Sequence, residues 1–452
     1  MKIIKLAPLF IIPLLVTACG DKKNNDPQPD PEVPANKVSV HLDASLSESK
    51  KETGYDLAFR FEDEYFLGSA KTYSKELALL SYGASLANGK KQSGIDFYTT
   101  MGYDNIKPSA CYEDDPTVDT VHYFFAHKSI NDFNLIALSF RGLDYGAEWG
   151  NNFTMGETGD HAGWSIRADE VLEDLKTYLA DYQGKTLKLW ISGYSRGAAL
   201  SNVISSKILR EETPIVQQDN MFVYTFETPC GLTEEHAIAY ENVFNLINNA
   251  DPITKIAPEA YGLYRCGIDK DIYVTNIDDV VRSFDSTITL PAFSPKEGKY
   301  TTESELASYI VNSLMKELDT DYAEYSMHTR EDFYNNYEDV ISYFMSILWQ
   351  FSDNSLSGLM ADFTDMSKIW AILTNEDGFY EEILPYVQAD EIPYDDETLK
   401  ASCKKVFQGI LNVGMDLLAM FLDESGNGKA NISRCIDMHM PEVAYALLAN
   451  QQ

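Results

Sequence analysis

The sequence predicts an α/β fold, with helices on both faces of a sheet and a large helical insertion before the C-terminal segment. From about Val38 to Ala257, short runs rich in aliphatic and aromatic residues alternate with segments whose apolar residues recur at helical spacing. From about Thr301 to Asp423 the pattern is helical, with polar faces between apolar stripes. Strands that alternate with helices are typical of a sheet that helices cover on both sides.

The elements of the alternating part follow one another in a regular order. Helices are predicted between Ile166 and Leu179 and over Ala198–Leu209, and strands at Thr120–Ala126, Leu135–Phe140, Leu187–Ser192, Met221–Phe226 and Asn242–Asn248. With 452 residues, 44% of them hydrophobic, the chain can fill a large core. The predicted organisation is a core at 38–300, a helical insertion or cap at 301–425 and a C-terminal part of the core at 426–452.

The first nineteen residues differ from the rest of the chain. Lys2 and Lys5 begin a segment whose apolar run is too short to cross a bilayer as a permanent helix. The run ends in the letters VTAC, which resemble the lipobox of bacterial lipoproteins, and this resemblance implies a signal peptide at 1–19 and lipidation of Cys19. Residues 20–37, rich in Pro, Asp and Asn, are then a flexible tether. An uncleaved anchor is the alternative.

Charge and cysteine spacing exclude several classes of partner. The formal net charge is −34, which argues against nucleic acid and against general adhesion to anionic lipid. The five cysteines beyond Cys19 are far apart and lack CxxC spacing, so the sequence predicts neither a metal site nor a thioredoxin-like motif. An exported protein is able to form disulfides, but an odd number leaves at least one of these thiols unpaired: Cys111, Cys230, Cys266, Cys403 and Cys435.

Ser195 is the candidate nucleophile. It stands between Gly193 and Gly197 in a GxSxG pattern, after a predicted strand and before a predicted helix that opens with small residues. On such an elbow the serine adopts a strained backbone conformation, and the glycines let helix and strand approach each other. The helix N-terminus then points at the negative charge that develops during attack. A glycine-rich turn without a catalytic role is the alternative.

A serine hydroxyl needs a base and an acid that orients the base. In this architecture the acid follows the serine and the histidine comes last. Asp251 comes directly after a predicted strand, where an orienting acid is needed, and a simple turn residue is the alternative. His236 precedes Asp251, and His328 lies among polar residues of the helical region. His439 lies between elements, before a closing helix, and is therefore the candidate base.

Five ordered segments resemble the class 3 lipase family, the fungal-lipase-like branch of α/β-hydrolases. The resemblance covers about Val121 to Ile256 and the segment around His439. The first two segments, LIALSFRGLDYGAEWGNNF and GDHAGWSIRADEVLEDL, are similar to the family's F-R-G strand and H-x-G-F segment. The others, LWISGYSRGAALS, VYTFETPCG and NLINNADPITKIAP, are similar to G-H-S-L-G-G-A, T-F-G-x-P-R-V-G and N-x-x-D-x-V-P-x-x-P. The resemblance implies an α/β-hydrolase sheet.

The same resemblance implies a role for each candidate residue. Ser195 is the nucleophile, Asp251 the orienting acid and His439 the general base. The backbone N–H groups of Leu143 and Arg196 form the oxyanion hole. The implied reaction is hydrolysis of a small-molecule or lipid ester through an acyl-enzyme, which requires no metal or organic cofactor.

Four positions depart from the family pattern. Tyr194 replaces the histidine before the serine, and Leu143 replaces a Ser or Thr whose hydroxyl often supplements the oxyanion hole. Arg196 replaces a leucine, and its guanidinium either favours a polar or anionic acyl group or forms a structural salt bridge. Glu227 replaces the glycine of T-F-G, where its carboxylate either lines the site or pairs with a cation. Asp251 and His439 are 188 residues apart, an unusually long separation, and the insertion accounts for most of it.

The sequence thus favours a lipid-anchored serine hydrolase, a lipase or esterase, in the bacterial cell envelope. The outer membrane or cell surface is the favoured location, with attachment through the lipid on Cys19. One alternative is a surface binding lipoprotein that keeps a hydrolase fold without activity. Another is hydrolysis of amide or peptide bonds, which the same triad supports. The oligomeric state is left open.

Overall fold

Seven strands form a mixed sheet at the centre of the described chain, in a computed structural model of the protein. In spatial order they are β3 (Asp104–Pro108), β4 (Tyr123–Ile130), β5 (Phe133–Phe140), β6 (Thr186–Tyr194), β7 (Met221–Phe226), β8 (Val243–Ile247) and β9 (Ile268–Asp271). The structure describes residues 36–113, 117, 119–143, 147–182, 184–256, 261–315, 330–336, 338, 340–342, 376–389, 395–407 and 427–451. The predicted signal peptide and lipidation site, Cys19 included, lie outside these residues.

The sheet is parallel where the candidate residues lie. β3, β4 and β5 pair antiparallel, whereas the strands from β5 to β9 are parallel. A separate antiparallel hairpin joins β1 (Lys37–Leu42) to β2 (Tyr55–Arg60). The parallel strands read as almost continuous apolar runs because both faces of this part of the sheet are covered.

Two hydrophobic clusters cover the two faces of the sheet. Along β6, Trp190 belongs to one cluster, while Leu189 and Ile191 belong to the other, as alternation along a strand requires. The first cluster includes residues of α1 (Lys75–Ala87), α2 (Lys91–Thr100), α5 (Ile277–Phe284) and α10 (Pro441–Asn450). The second includes residues of α3 (Ala162–Leu179) and α4 (Arg196–Leu209). These layers confirm the predicted α/β-hydrolase sheet.

The predicted elements around the elbow are confirmed with small shifts of their ends. The strand ending at Phe226 has the predicted limits, and the predicted helix at Ala198–Leu209 begins two residues earlier, at Arg196. The strand predicted at Thr120–Ala126 is displaced to Tyr123–Ile130, because its pairing with β5 continues through Lys128 and Ser129. The closing helix after His439 is α10.

The described part of the insertion is helical. It contains α6 (Glu303–Met315), α7 (Arg330–Asn336), α8 (Glu376–Ala389) and the helical residues 396–407. Leu306 and Ile310 of α6 pack against Ile432 and Cys435 of α9 (Asn427–Asp437), which leads directly to His439. The boundaries of the insertion stay a prediction, and His328 lies outside the described residues. None of the described helices is long and apolar enough to cross a membrane.

Candidate active site

The candidate residues follow the carboxyl ends of four neighbouring parallel strands. Arg141 follows β5, Ser195 follows β6, Glu227 follows β7, and the loop from Asn248 to Asp251 follows β8. Ligand sites of open parallel sheets lie at this edge. The topology therefore brings together residues as far apart in sequence as Arg141 and Asp251, which are separated by 110 positions.

Ser195 has the strained backbone that the elbow predicts. Its φ of 54° and ψ of −124° lie outside the regions that side chains other than glycine usually adopt. Its N–H donates to the carbonyl oxygen of Phe226 at 2.9 Å, which holds the turn against β7. A Cβ atom on Gly193 would lie 2.1 Å from the carbonyl oxygen of Gly197, and one on Gly197 would lie 2.8 Å from that of Phe140. Both glycines are therefore required by close approach.

The structure brings Ser195, Asp251 and His439 into one hydrogen-bonded chain. His439 Nε2 lies 2.9 Å from Ser195 Oγ, and His439 Nδ1 lies 2.6 Å from Asp251 Oδ2. Ser195 is 2% exposed, Asp251 is 0% exposed and His439 is 6% exposed, so the three side chains have little contact with water. An imidazole held between a hydroxyl and a carboxylate is able to accept the hydroxyl proton and is stabilised once it is protonated.

The loop of Asp251 is fixed by its own hydrogen bonds. Asp251 Oδ1 accepts from the N–H of Ile253 at 2.8 Å, which leaves Oδ2 to face His439. The Asp251 N–H donates to the carbonyl oxygen of Asn248, and the hydroxyl of Thr254 donates to that of Asp251. The carboxylate is thus oriented before any substrate arrives.

Residues 137–261 match the family model of the class 3 lipases. The match spans the predicted F-R-G, elbow, T-F and N-x-x-D segments, and therefore includes Ser195 and Asp251. This segment is therefore similar to the class 3 lipases. The match supports a carboxylic ester hydrolase with the α/β-hydrolase fold, as the sequence predicts. His439 lies beyond the matched segment.

Solved structures of fungal lipases are similar to this chain at low sequence identity. A fungal lipase–inhibitor complex is 18% identical, with 44% of this chain and 80% of that chain covered and a TM-score of 0.35. The native Rhizomucor miehei lipase propeptide complex is 18% identical, with 45% and 71% covered and a TM-score of 0.35. Lip2 lipase from Yarrowia lipolytica is 9% identical, with 52% and 82% covered and a TM-score of 0.31. No curated protein sequence matches the chain.

The segment predicted to form the oxyanion hole lies against the elbow of Ser195. A Cβ atom on Gly142 would lie 1.7 Å from the carbonyl oxygen of Tyr194, so the backbone before Leu143 touches the residue before Ser195. Arg196 is the first residue of α4, where backbone N–H groups have no acceptor within the helix. Donation from these two N–H groups to a substrate stays a prediction.

The side chain of Arg196 is buried rather than exposed to solvent. The residue is 2% exposed, and its Nη2 donates to the carbonyl oxygen of Thr120 at 3.1 Å. Burial raises the pKa of nearby Glu148, but the hydrogen bond from His122 and the charges of Arg141 and Arg196 outweigh it and lower that pKa to about 2. Arg196 therefore belongs to a buried network of charges, in which Glu148 also forms an ion pair with Arg141.

Two departures from the family pattern contact the loops that carry His439 and Asp251, and the sequence revealed neither contact. The Tyr194 hydroxyl donates to the carbonyl oxygen of His439. Glu227 is fully buried and accepts from the N–H of Asn248 at 2.9 Å. The only sequence signal was that both positions differ from the family. His236, by contrast, takes no part in the triad, because its Nδ1 lies 2.8 Å from Asp160 Oδ1.

The described residues offer no metal site, since they contain no cluster of three or more His, Cys, Asp or Glu side chains able to hold an ion. All five described cysteines are free thiols. Burial raises the pKa of the Cys435 thiol well above its ordinary value, and it raises that of Cys266 as well. Such protonated thiols are poor nucleophiles, so Ser195 is the stronger candidate for the reacting group.

Proposed function

We propose that this protein is a lipid-anchored serine hydrolase that cleaves carboxylic esters through an acyl-enzyme. Ser195 is the nucleophile, His439 the general base and acid, and Asp251 the residue that orients His439. One observation carries the proposal: the His439 ring lies within hydrogen-bonding distance of both partners, although they are 244 and 188 residues away in sequence. A triad is recognised by this geometry and by the chain order Ser, Asp, His.

The geometry supports a two-step acyl transfer. Ser195 Oγ attacks the ester carbonyl carbon while its proton moves to His439 Nε2, and the backbone N–H groups of Leu143 and Arg196 receive the oxyanion. His439 then gives this proton to the departing alcohol as the C–O bond breaks. In the second step His439 takes a proton from water, hydroxide attacks the acyl carbon, and the acid leaves as Ser195 recovers its proton. The carboxylate of Asp251 stabilises the imidazolium in both steps.

Covalent labelling tests the role of Ser195. The purified protein is treated with a fluorophosphonate probe and assayed on short-chain and long-chain p-nitrophenyl esters. We expect labelling and turnover in the wild type and neither in Ser195→Ala. Ser205→Ala is the matched control, because Ser205 lies on the same helix and its buried hydroxyl has no hydrogen-bond partner among the described residues.

Two further variants test the rest of the triad. His439→Ala is expected to abolish turnover, and Asp251→Asn to reduce kcat by about 10⁴-fold, the loss known when an orienting aspartate is changed to asparagine. Wild-type protein that neither labels nor turns over esters would refute catalysis and leave the binding lipoprotein as the function. Turnover of peptide substrates instead of esters would favour the amide hydrolase.

The lipid anchor is tested separately, at Cys19. Wild-type protein grown with an alkyne-tagged fatty acid is expected to incorporate the tag and to sediment with membranes. Cys19→Ala is expected to do neither, while Cys111→Ala behaves as the wild type, because Cys111 lies in the folded domain. Equal incorporation of the tag into both variants would refute lipidation at Cys19 without affecting the proposed triad.

A further inference from the structure

Glu227 occupies the same backbone position beside β7 as Ser195 does beside β6. Its φ is 50°, close to the 54° of Ser195, and each residue directly follows a parallel strand. The N–H of Ser195 donates to Phe226, and the N–H of Glu227 donates to Leu246 at 3.0 Å. A left-handed conformation costs a residue with a long side chain about 1–3 kcal/mol. Glu227 keeps this strained backbone although its carboxyl group is fully buried, so a compensating interaction is expected.

The Glu227 carboxyl group lies between the loops of the candidate acid and the candidate base. Its Oε2 accepts from the Asn248 N–H at 2.9 Å, and the Asn248 side chain donates to the carbonyl oxygen of Met438 at 3.0 Å. Met438 directly precedes His439. The carboxyl groups of Glu227 and Asp251 are also within hydrogen-bonding reach of each other.

Two buried carboxyl groups in contact form a stable pair only when one carries a proton. Asp251 accepts from two donors, the Ile253 N–H and His439 Nδ1, whereas the Oε1 atom of Glu227 has no hydrogen-bond partner among the described residues. The proton therefore resides on Glu227, the carboxyl group with fewer hydrogen-bond donors. Burial, and then the charge of Asp251, accordingly raise the pKa of Glu227 well above its ordinary value.

We infer that Glu227 is a positioning residue, a neutral carboxylic acid that donates its proton to Asp251 in a hydrogen bond and holds that carboxylate facing His439. This inference rests on the proposed triad. The proton gives Oε1 a hydrogen bond to Asp251. Because the Glu227 carboxyl group is then neutral, it needs no cation as a partner. From this left-handed backbone at the end of β7, the carboxyl group reaches the N–H of Asn248.

Two variants of equal length separate this role from simple packing. Glu227→Gln keeps an acceptor for the Asn248 N–H and an N–H donor for Asp251, whereas Glu227→Met keeps the length and the backbone strain but neither hydrogen bond. We expect kcat of the Gln variant to stay within about 3-fold of the wild type and that of the Met variant to fall about 10- to 100-fold with little change in KM. Thermal unfolding verifies that both variants fold.

Infrared spectroscopy detects the proton without any turnover. At neutral pH the wild type is expected to show a carbonyl band of a protonated carboxylic acid that Glu227→Gln lacks. Glu442→Gln is the control, because burial raises the pKa of Glu442 too, so this variant loses its own acid band. Its kcat should not change, since Glu442 binds the N–H groups of Ser45 and Leu46.

The outcomes distinguish this inference from the proposed function. An unchanged acid band in Glu227→Gln, or equal kcat in the Gln and Met variants of an active enzyme, would overturn the role of Glu227 and leave the triad standing. A wild type without turnover that depends on Ser195 would overturn the proposed function, and with it the positioning role.

Discussion

Tyr194 holds the loop of His439 through both its ring and its hydroxyl. The two rings are stacked, with 5.3 Å between their centroids and 21° between their planes, and the phenol donates to the His439 carbonyl oxygen. Tyr194 immediately precedes Ser195. The elbow that carries the candidate nucleophile therefore also fixes the backbone that carries the candidate base.

Tyr194→Phe should separate positioning from packing, because it removes the hydroxyl and keeps the ring. A buried carbonyl without its donor costs about 1–3 kcal/mol, and we expect the free energy of unfolding to fall by that amount. We also expect kcat to fall about 3- to 10-fold, since the base loses a constraint on its orientation. Steady-state kinetics and urea unfolding measure the two effects.

Tyr98→Phe is the matched control for this prediction. Tyr98 is equally buried, and its hydroxyl is hydrogen-bonded to Ser139, away from the loop of His439. A similar loss of stability with unchanged kcat is expected. If both variants lowered kcat alike, the Tyr194 hydroxyl would have no particular part in orienting His439.

The sequence predicted the elements around the elbow because they have strong, simple patterns. β7 was predicted to the residue, since its apolar run is buried on both faces, and α4 follows a glycine-flanked serine. Asp251 and His439 were found by chain order, and the structure places them together. The hairpin of β1 and β2, and helices α1 and α2, were not assigned individually.

Contacts between residues that are not neighbours in the chain could not be predicted from the sequence. Tyr194 and Glu227 stood out only as departures from a family pattern, and their partners lie 245 and 21 residues away. The two interpretations of Arg196 stay open, and only the folded chain shows that its guanidinium is buried and donates to the carbonyl oxygen of Thr120. Burial and partner identity are properties of the folded chain, not of the local pattern.

Gly142→Ala adds only one methyl group but should lower kcat strongly. The added methyl group would lie 1.7 Å from the Tyr194 carbonyl oxygen, so the backbone that leads to Leu143 has to move away from the elbow. Loss of an oxyanion donor costs about 10²–10³-fold in kcat, and we expect a loss near the lower end of that range. Ester hydrolysis is the measurement.

Gly68→Ala is the control for the glycine prediction, because a Cβ atom there would meet no atom within 4 Å. It should hydrolyse esters as the wild type does. Full activity of Gly142→Ala would show that the segment at Leu143 does not need its close contact with the elbow.

Asp437→Asn should stabilise the protein at high pH. Burial raises the pKa of Asp437 to about 7, with a further contribution from Glu442. The unfolded chain releases this proton above about pH 4, whereas the folded protein holds it until about pH 7, so stability falls as pH rises through this window. Asparagine removes the effect, and we expect a gain of about 1–3 kcal/mol at pH 8 and none at pH 4.

Urea unfolding at the two pH values measures the difference, with Asp132→Asn as the control. Asp132 is exposed in the turn between β4 and β5, and its replacement should leave the pH dependence as it is. Parallel stability profiles of the wild type and Asp437→Asn would contradict a proton held on Asp437 in the folded state.

Arg330→Lys should loosen the attachment of the insertion to the core. The Arg330 guanidinium donates to the carbonyl oxygens of Gly156 at 2.6 Å and Gly159 at 2.7 Å, and also to those of Met155 and Thr158. A lysine ammonium lacks the planar fork that serves several acceptors at once. Carbonyl groups left without a donor cost about 1–3 kcal/mol.

Hydrogen–deuterium exchange is the appropriate measurement, because the expected effect is local. Amides of residues 155–160 and of α7 should exchange about 10-fold faster in Arg330→Lys, the factor that corresponds to 1.4 kcal/mol of local stability. Arg282→Lys is the control, since Arg282 is half exposed and its ion-pair partners among the described residues, Asp278 and Asp279, belong to its own helix α5. Acceleration confined to α7 would place the anchor elsewhere in the insertion. Acceleration of both segments would establish Arg330 as the residue that ties α7 to the loop before α3.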